Sequence, residues 1–465
     1  MVSDMSAYAG VTDRRPERES WTRRNELRER SNLNFLMAVG GNKMKPILSI
    51  SLGLALASSV ALADVITDWN LALIKATETA PVTPAPITTR VAAIVQAAVF
   101  DAVNGIERHY SPIFVQPAAP EGASVQAAAV EAAYVTLVDL YPAQQATFNQ
   151  QKTASLAQIT DSSLAVQQGL AWGQTVANQI WTWKSQDGFL NTDPPYLGGT
   201  NPGQWRPTPP AMAPGLDPQL ATTTPWVLRL PSQFRPAGPP ALTSDQFTAD
   251  FNETMSMGSA TNSGRTADQT LAANFWQAGN PPDYWDQAAL SLAQLHQYSF
   301  SGRARLLALV NLGIADAMIG CWDSKYNYSF WRPITAIQLA NTDGNPATPT
   351  NPTWTPLIVT PPFPEYPSAH SCASGAAAHI LAETFGEATS FGVVSLAMPG
   401  VTRQFHNFTE ALAEVANARV FGGIHFRTAT IDGTSLGISV ADYVMKNALL
   451  PRGEGPGGNR GKKDR

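Results

Sequence analysis

The chain has 465 residues, 44% of them hydrophobic, with 31 Lys and Arg against 36 Asp and Glu for a formal net charge of −5. That length and apolar content suffice for a large core in one domain or two, and the acidic balance argues against the basic face that a nucleic-acid partner needs. Two cysteines, Cys321 and Cys372, are too few for a disulfide framework and are not spaced as a zinc site.

Residues 1–43 are polar and Arg-rich without apolar periodicity, and read as a disordered leader or as an extension upstream of a true start at Met44. Over residues 44–63, Lys45 precedes an apolar run from 47 to 60 and then Ala61-Leu62-Ala63, the pattern of a secretory signal peptide with its cleavage site. The mature chain is therefore expected from about Asp64, secreted or periplasmic. That run is short for a membrane span, no later stretch reads as one, and stable membrane insertion is not expected.

Residues 64–188 read as N-terminal packing helices at 66–78, 91–104, 123–140, 144–159 and 163–186, each with apolar residues three and four apart. Residues 189–243 are Pro-rich and read as an ordered loop region anchored by Trp205, Trp226 and Phe234; an interdomain linker is the alternative. A C-terminal catalytic helical bundle is expected over 244–450, with helices at 245–255, 265–275, 285–322 (broken near 298–302), 371–385, 408–420 and 430–449. A Pro and Thr loop fills 341–360, and a polar, Gly-rich disordered tail spans 451–465. Strand-type alternation and long repeats are not apparent, so the expected class is all-α, a large helical bundle with long Pro-rich surface loops.

Three stretches carry chemistry. Residues 361–375 read PPFPEYPSAHSCASG: prolines hold the backbone extended until Ser368, which is set to cap a helix, so its hydroxyl, the following amides and the helix dipole face one oxyanion. His370 stands within reach as a proton donor; an ordinary capped helix with a surface histidine is the alternative. Lys325 and Arg332 are seven apart, two turns on a continuous helix, which would put both cations on one face before Pro333 stops or kinks it. Alone they would be a solvated cation pair. Arg419 is followed six residues on by His425, with Asn407 and Glu410 forming a capping box for the preceding helix and Gly422 and Gly423 ending it. A satisfied core histidine is the alternative for His425.

Taken in order, Lys325-x6-Arg332-Pro333, Pro367-Ser368-Ala369-His370 and Arg419-x5-His425 resemble the three-part signature of the type 2 phosphatidic acid phosphatase and vanadium haloperoxidase superfamily. The resemblance spans roughly residues 322–432. It implies that His425 ligates vanadium or attacks phosphorus, that Lys325, Arg332 and Arg419 neutralise the equatorial oxygens with Ser368 and the Ala369 amide donating, and that His370 is the acid-base group. Vanadate is the implied cofactor, and phosphate can occupy the same site. Trp322 and Phe363 stand where fungal-type chloroperoxidases carry a Trp and a Phe beside the halide; otherwise they are core aromatics. On this branch the implied activity is oxidation of halide by hydrogen peroxide to hypohalous acid, which halogenates a small organic acceptor. A secreted acid phosphatase acting through a phosphohistidine is the alternative, and a noncatalytic oxyanion-binding protein a third.

The chain departs from the family pattern at Ala369, usually Gly, and at Ala418, usually Ser. Ala429 stands where an acid often orients the last histidine, which leaves Asp432 as the nearest carboxylate or a backbone carbonyl for that task. Cys321 and Cys372 are read as a disulfide or as two buried thiols. His406 is expected to border the pocket, and His109, His296 and His379 to be structural.

Overall fold

A computed structural model describes residues 64–453, and the leader, signal-peptide and tail readings lie outside them. The helices are α1 (Val65–Glu78), α2 (Ala85–Glu107), α3 (Val125–Leu140), α4 (Gln145–Leu156), α5 (Ser163–Lys184), α6 (Asp245–Met257), α7 (Ala267–Ala278), α8 (Pro281–Leu295), α9 (Phe300–Tyr328), α10 (Pro333–Gln338), α11 (Ala369–Phe385), α12 (Phe408–Phe421) and α13 (Arg427–Asn447). Their starts are chemically marked. Asp64, Ser124, Ser162, Ser244, Thr266 and Ser299 each accept a first-turn amide through the side chain, giving an otherwise orphaned donor its partner.

The all-helical expectation holds with one addition. Phe391–Val394 (β1) pairs antiparallel with Thr402–Phe405 (β2), Phe391 opposite Phe405. The hairpin is short and packs its phenylalanines on Trp276, Trp285 and Phe408, so its burial is aromatic and shows no long alternation in sequence.

Among the described residues two helices, α2 and α9, are long and apolar enough to cross a membrane by length and composition, which corrects the expectation that no later stretch is. In each, 94% of the apolar window is buried inside the protein. A helix apolar all round is the one that other helices surround. Accordingly α9 packs against α2, α8, α11 and α13 and forms the axis of the core.

Helices α11 and α13 approach closely because small residues face each other. A Cβ on Gly437 would stand 2.2 Å from the Cys372 carbonyl oxygen, and one on Gly433 would stand 2.7 Å from that of Ser368. The loop between α5 and α6 packs along α9. Trp205 is fully buried and its amide donates to Ser329 O at 2.7 Å, while the Trp226, Val227 and Leu228 amides all donate to the buried Asp316 carboxylate on α9.

Candidate active site

Lys325 and Arg332 do not share a helix. Helix α9 ends at Tyr328, Ser329 takes a left-handed conformation (φ 46°), and Pro333 opens α10 with Arg332 as its extended N-cap. The expected two-turn spacing on one face is therefore replaced by a bend. Proline is tolerated at a first helical position, where no amide donor is needed, and it starts this helix instead of stopping one. Both cations still turn inward and both are fully buried.

Arg332 is fixed by the backbone: Nε donates to Phe363 O at 2.8 Å and Nη1 to Ile424 O at 2.8 Å, with Nη1 3.3 Å from His425 Nε2. Lys325 Nζ donates to Pro364 O (2.9 Å), Glu365 O (3.0 Å) and Pro367 O, which engages all three ammonium donors. In this arrangement Lys325 offers charge to the site while its hydrogen bonds shape the proline-rich segment. Arg419, at the end of α12, donates through Nη1 to Trp276 O (3.3 Å) and through Nη2 to Gln277 Oε1 (2.8 Å).

His425 follows the Gly422-Gly423 turn, where Gly423 adopts φ +73° and a Cβ would meet Gly258 O at 2.4 Å. Its Nδ1 lies 2.9 Å from Glu365 Oε1, and the Phe426 amide donates to that same oxygen at 2.9 Å. An oxygen that accepts from an amide leaves Nδ1 as donor, so the Nε2 lone pair points to Arg332. The orienting group is thus Glu365, not Asp432 or a backbone carbonyl; Asp432 instead accepts from the Tyr366 hydroxyl. Burial raises the Glu365 carboxyl to about 8, against the opposing pull of the Phe426 amide and the Lys325 and Arg332 charges. Burial holds His425 well below the usual histidine range, and the charges of Arg332, Lys325 and Arg419 add to the effect.

Ser368 is the N-cap of α11, yet its hydroxyl makes no capping bond. His370 opens the first turn of α11 as a half-buried residue, and its Nε2, itself buried, has no partner. Burial, then Arg419, lowers the His370 pKa well below the ordinary value. Arg332 Nη2, Arg419 Nε, Ser368 Oγ and His370 Nε2 are all buried and unpartnered. Buried donors without partners are costly, and a cluster of them marks where a ligand completes the bonding. Three are donors, cationic or neutral; the ligand class they fit is a tetrahedral oxyanion such as vanadate or phosphate.

Beside the cage, Trp322 and Phe363 pack with ring centroids 5.0 Å apart. The Phe363 ring also faces Lys325 Nζ at 5.1 Å and Arg332 Cζ at 4.7 Å. Ala369 opens α11 and is buried. His406 is not at the pocket: its side chain is 87% exposed and pairs with Glu410 at 3.1 Å. That pairing also takes the carboxylate from the expected capping box, of which only the Asn407 half forms. Cys321 and Cys372 are free, buried thiols.

Two residues of the site escaped the sequence reading. Glu365 had a signal, as the lone carboxylate inside the proline-rich segment. Gln277 had none, since nothing local to the end of α7 points to Arg419.

A helical bundle holding a buried histidine beside two buried arginines, a lysine and a serine has the chemistry suited to an oxyanion. Comparison with known proteins agrees. Residues 305–451 match the family described as the VCPO second helical-bundle domain. The vanadium chloroperoxidase of Curvularia inaequalis is 30% identical over a stretch that covers 30% of this chain and 28% of that protein's length. The crystal structure of the first bacterial vanadium-dependent iodoperoxidase superposes with a TM-score of 0.74 at 26% identity, covering 84% of this chain and 98% of that one. A holo-type bacterial vanadium-dependent chloroperoxidase shares the fold, with a TM-score of 0.63 at 18% identity over 78% of this chain and 91% of that one. By these matches residues 305–451 carry a domain of the vanadium haloperoxidase superfamily, and the fold of the described chain is similar to that of a vanadium-dependent iodoperoxidase.

Proposed function

We propose that the protein is a secreted vanadium-dependent haloperoxidase, using hydrogen peroxide to oxidise a halide to hypohalous acid for transfer to a small organic acceptor. The observation that carries this reading is the set of unpartnered buried groups, Arg332 Nη2, Arg419 Nε, Ser368 Oγ and His370 Nε2, beside an aromatic wall of Trp322 and Phe363. The names of the chloroperoxidase and iodoperoxidase relatives support it. Residues 44–63 support secretion.

In this reading His425 Nε2, Arg332, Arg419, Ser368 and the Ala369 amide hold vanadate, with Lys325 adding charge. Bound there, vanadate acts as a Lewis acid that activates peroxide towards halide without changing oxidation state. Glu365 keeps the His425 proton on Nδ1, so that Nε2 is available as a ligand. His370, whose pKa is lowered by desolvation and by the Arg419 charge, takes a proton from incoming peroxide at its unpartnered Nε2 and returns it to the departing oxygen. Trp322 and Phe363 exclude water from one side, which favours a weakly hydrated halide near the cations.

One observation favours the phosphatase alternative. The pairing of Glu365 with His425 supplies the orienting acid that a nucleophilic histidine needs. Purified protein assayed with bromide, peroxide and a dione acceptor, before and after orthovanadate reconstitution, separates the readings. Vanadate-dependent turnover that disappears in His425→Ala establishes the haloperoxidase. Phosphate-ester hydrolysis inhibited by vanadate, without halogenation, replaces it with the phosphatase, and vanadate binding with neither turnover leaves a noncatalytic oxyanion binder.

A further inference from the structure

We propose that Tyr326 is a positioning residue for the halide wall: its hydroxyl latches Leu216, and Leu216 in turn holds Trp322 and Phe363 at the spacing that admits a desolvated halide. What the wall binds rests on the haloperoxidase reading; the latch does not. Tyr326 lies four residues after Trp322 on α9, so the two side chains leave the same helix face one turn apart. Both donate to one acceptor, the Leu216 carbonyl, Tyr326 Oη at 2.6 Å and Trp322 Nε1 at 3.2 Å. The Leu216 amide donates to Pro362 O at 2.8 Å, and Pro362 directly precedes Phe363. A single residue of the loop between α5 and α6 therefore bridges the helix that carries Trp322 and the proline-rich segment that carries Phe363, whose rings pack 5.0 Å apart.

A carbonyl has two lone pairs, so Leu216 O can serve both donors at once. The phenol bond is the shorter, and it keeps the carbonyl where the fully buried Trp322 indole can reach it. Neighbours fix the phenol in place. The Tyr196 ring meets the Tyr326 ring edge-on at 4.9 Å, the Tyr196 carbonyl accepts the Gly215 amide at 2.7 Å, and the Tyr196 hydroxyl donates to Ser329 Oγ at 2.6 Å. Gly215 has no room for a side chain, since a Cβ there would stand 2.9 Å from Tyr326 Oη and 3.0 Å from the Tyr196 ring. Without the phenol bond, the longer indole bond alone holds Leu216 O to α9. The loop then loosens, water reaches the wall, and the gain from a water-free halide is lost. The cations are less dependent on the latch, because Arg332 keeps its bond to Ile424 O and Lys325 its bonds to the carbonyls of Pro364, Glu365 and Pro367.

The test compares the full chain with Tyr326→Phe and Gly215→Ala, by halogenation kinetics with bromide and iodide after orthovanadate reconstitution, and by hydrogen exchange of the peptide around Leu216 without vanadate. Tyr326→Phe keeps the ring and removes only the hydroxyl. The expected result is a halide KM raised several-fold while kcat and the KM for peroxide move little, with faster exchange at Leu216. Gly215→Ala, whose Cβ crowds the same hydroxyl, is expected to give the same split. An unchanged halide KM in Tyr326→Phe, equal changes in the halide and peroxide constants, or unchanged exchange at Leu216 overturns the proposal while leaving the haloperoxidase reading intact. A wild type without vanadate-dependent halogenation overturns that reading, and the halide role of Tyr326 with it. Tyr326→Phe decides alone if Gly215→Ala does not fold.

Discussion

Glu365 Oε1 lies 2.9 Å from His425 Nδ1, and the same oxygen accepts the Phe426 amide. A carboxyl from the proline-rich segment thereby sets the tautomer of a histidine sixty residues later. Glu365→Gln is expected to lower turnover and vanadate affinity by roughly 10–100-fold, the usual effect of losing a group that orients a metal ligand. Steady-state kinetics and vanadate titration check this; unchanged values would remove Glu365 from the machinery.

Ser368→Ala offers a test of anion binding with little structural cost, because Oγ has no partner in the fold. Loss of one neutral hydrogen bond is worth about 0.5–1.5 kcal/mol, so the dissociation constant for orthovanadate should rise roughly 2–13-fold. Calorimetry should show that rise while the anion-free melting temperature stays constant. An unchanged affinity would mean that the hydroxyl faces no ligand.

Phe363→Leu removes a ring that faces two cations and packs on Trp322. If that wall holds the halide, its KM should rise several-fold for iodide, bromide or chloride, while the KM for peroxide moves little. Equal changes in both would assign Phe363 to packing alone.

The pH dependence of stability follows from His370, whose folded-state pKa lies below the unfolded value because burial and Arg419 disfavour its charge. Its contribution is present above the unfolded value, near 6.5, and is lost as pH falls towards the folded value. Below about pH 6.5 the unfolded chain gains up to about 1.4 kcal/mol per pH unit from this one group. Denaturant titrations between pH 7 and 5 in anion-free buffer should therefore show a shallower fall for His370→Gln than for wild type. Parallel curves would contradict a lowered His370 pKa.

Gly437→Ala tests the approach of α13 to α11, since its Cβ would meet a backbone oxygen at 2.2 Å that cannot rotate away. Overpacking of this kind costs about 1–3 kcal/mol. The melting temperature should drop by several degrees, and an unchanged value would show that the helices separate freely.

Much of the site was legible in sequence because its parts are local: Pro367-Ser368-Ala369-His370 precedes a helix of small residues, and Arg419 lies six before His425. These short spacings set which groups a single turn or helix end presents. Helix positions were legible for the same reason, through apolar spacing and Ser, Thr and Asp caps. The break between α8 and α9 also fell close to the expected position. Other relationships depend on long-range packing. The bend at Ser329 and the restart at Pro333 replaced a two-turn spacing, yet Arg332 still reaches His425, because its direction is set by Phe363 O and Ile424 O. His406 looked close to the pocket by its place between two motifs, but the hairpin and the Glu410 pairing carry it to the surface.

By itself the sequence determined the helical class, the ordered triple of motifs and thus the chemical identity of the cage, because side-chain type and local spacing are written residue by residue. Only the tertiary structure decided that Glu365 orients His425, that Gln277 and Trp276 hold Arg419 and that Lys325 is tied to three loop carbonyls. Those contacts join residues 39 to 143 positions apart. No local propensity encodes such a meeting; it follows from which helix faces bury against each other.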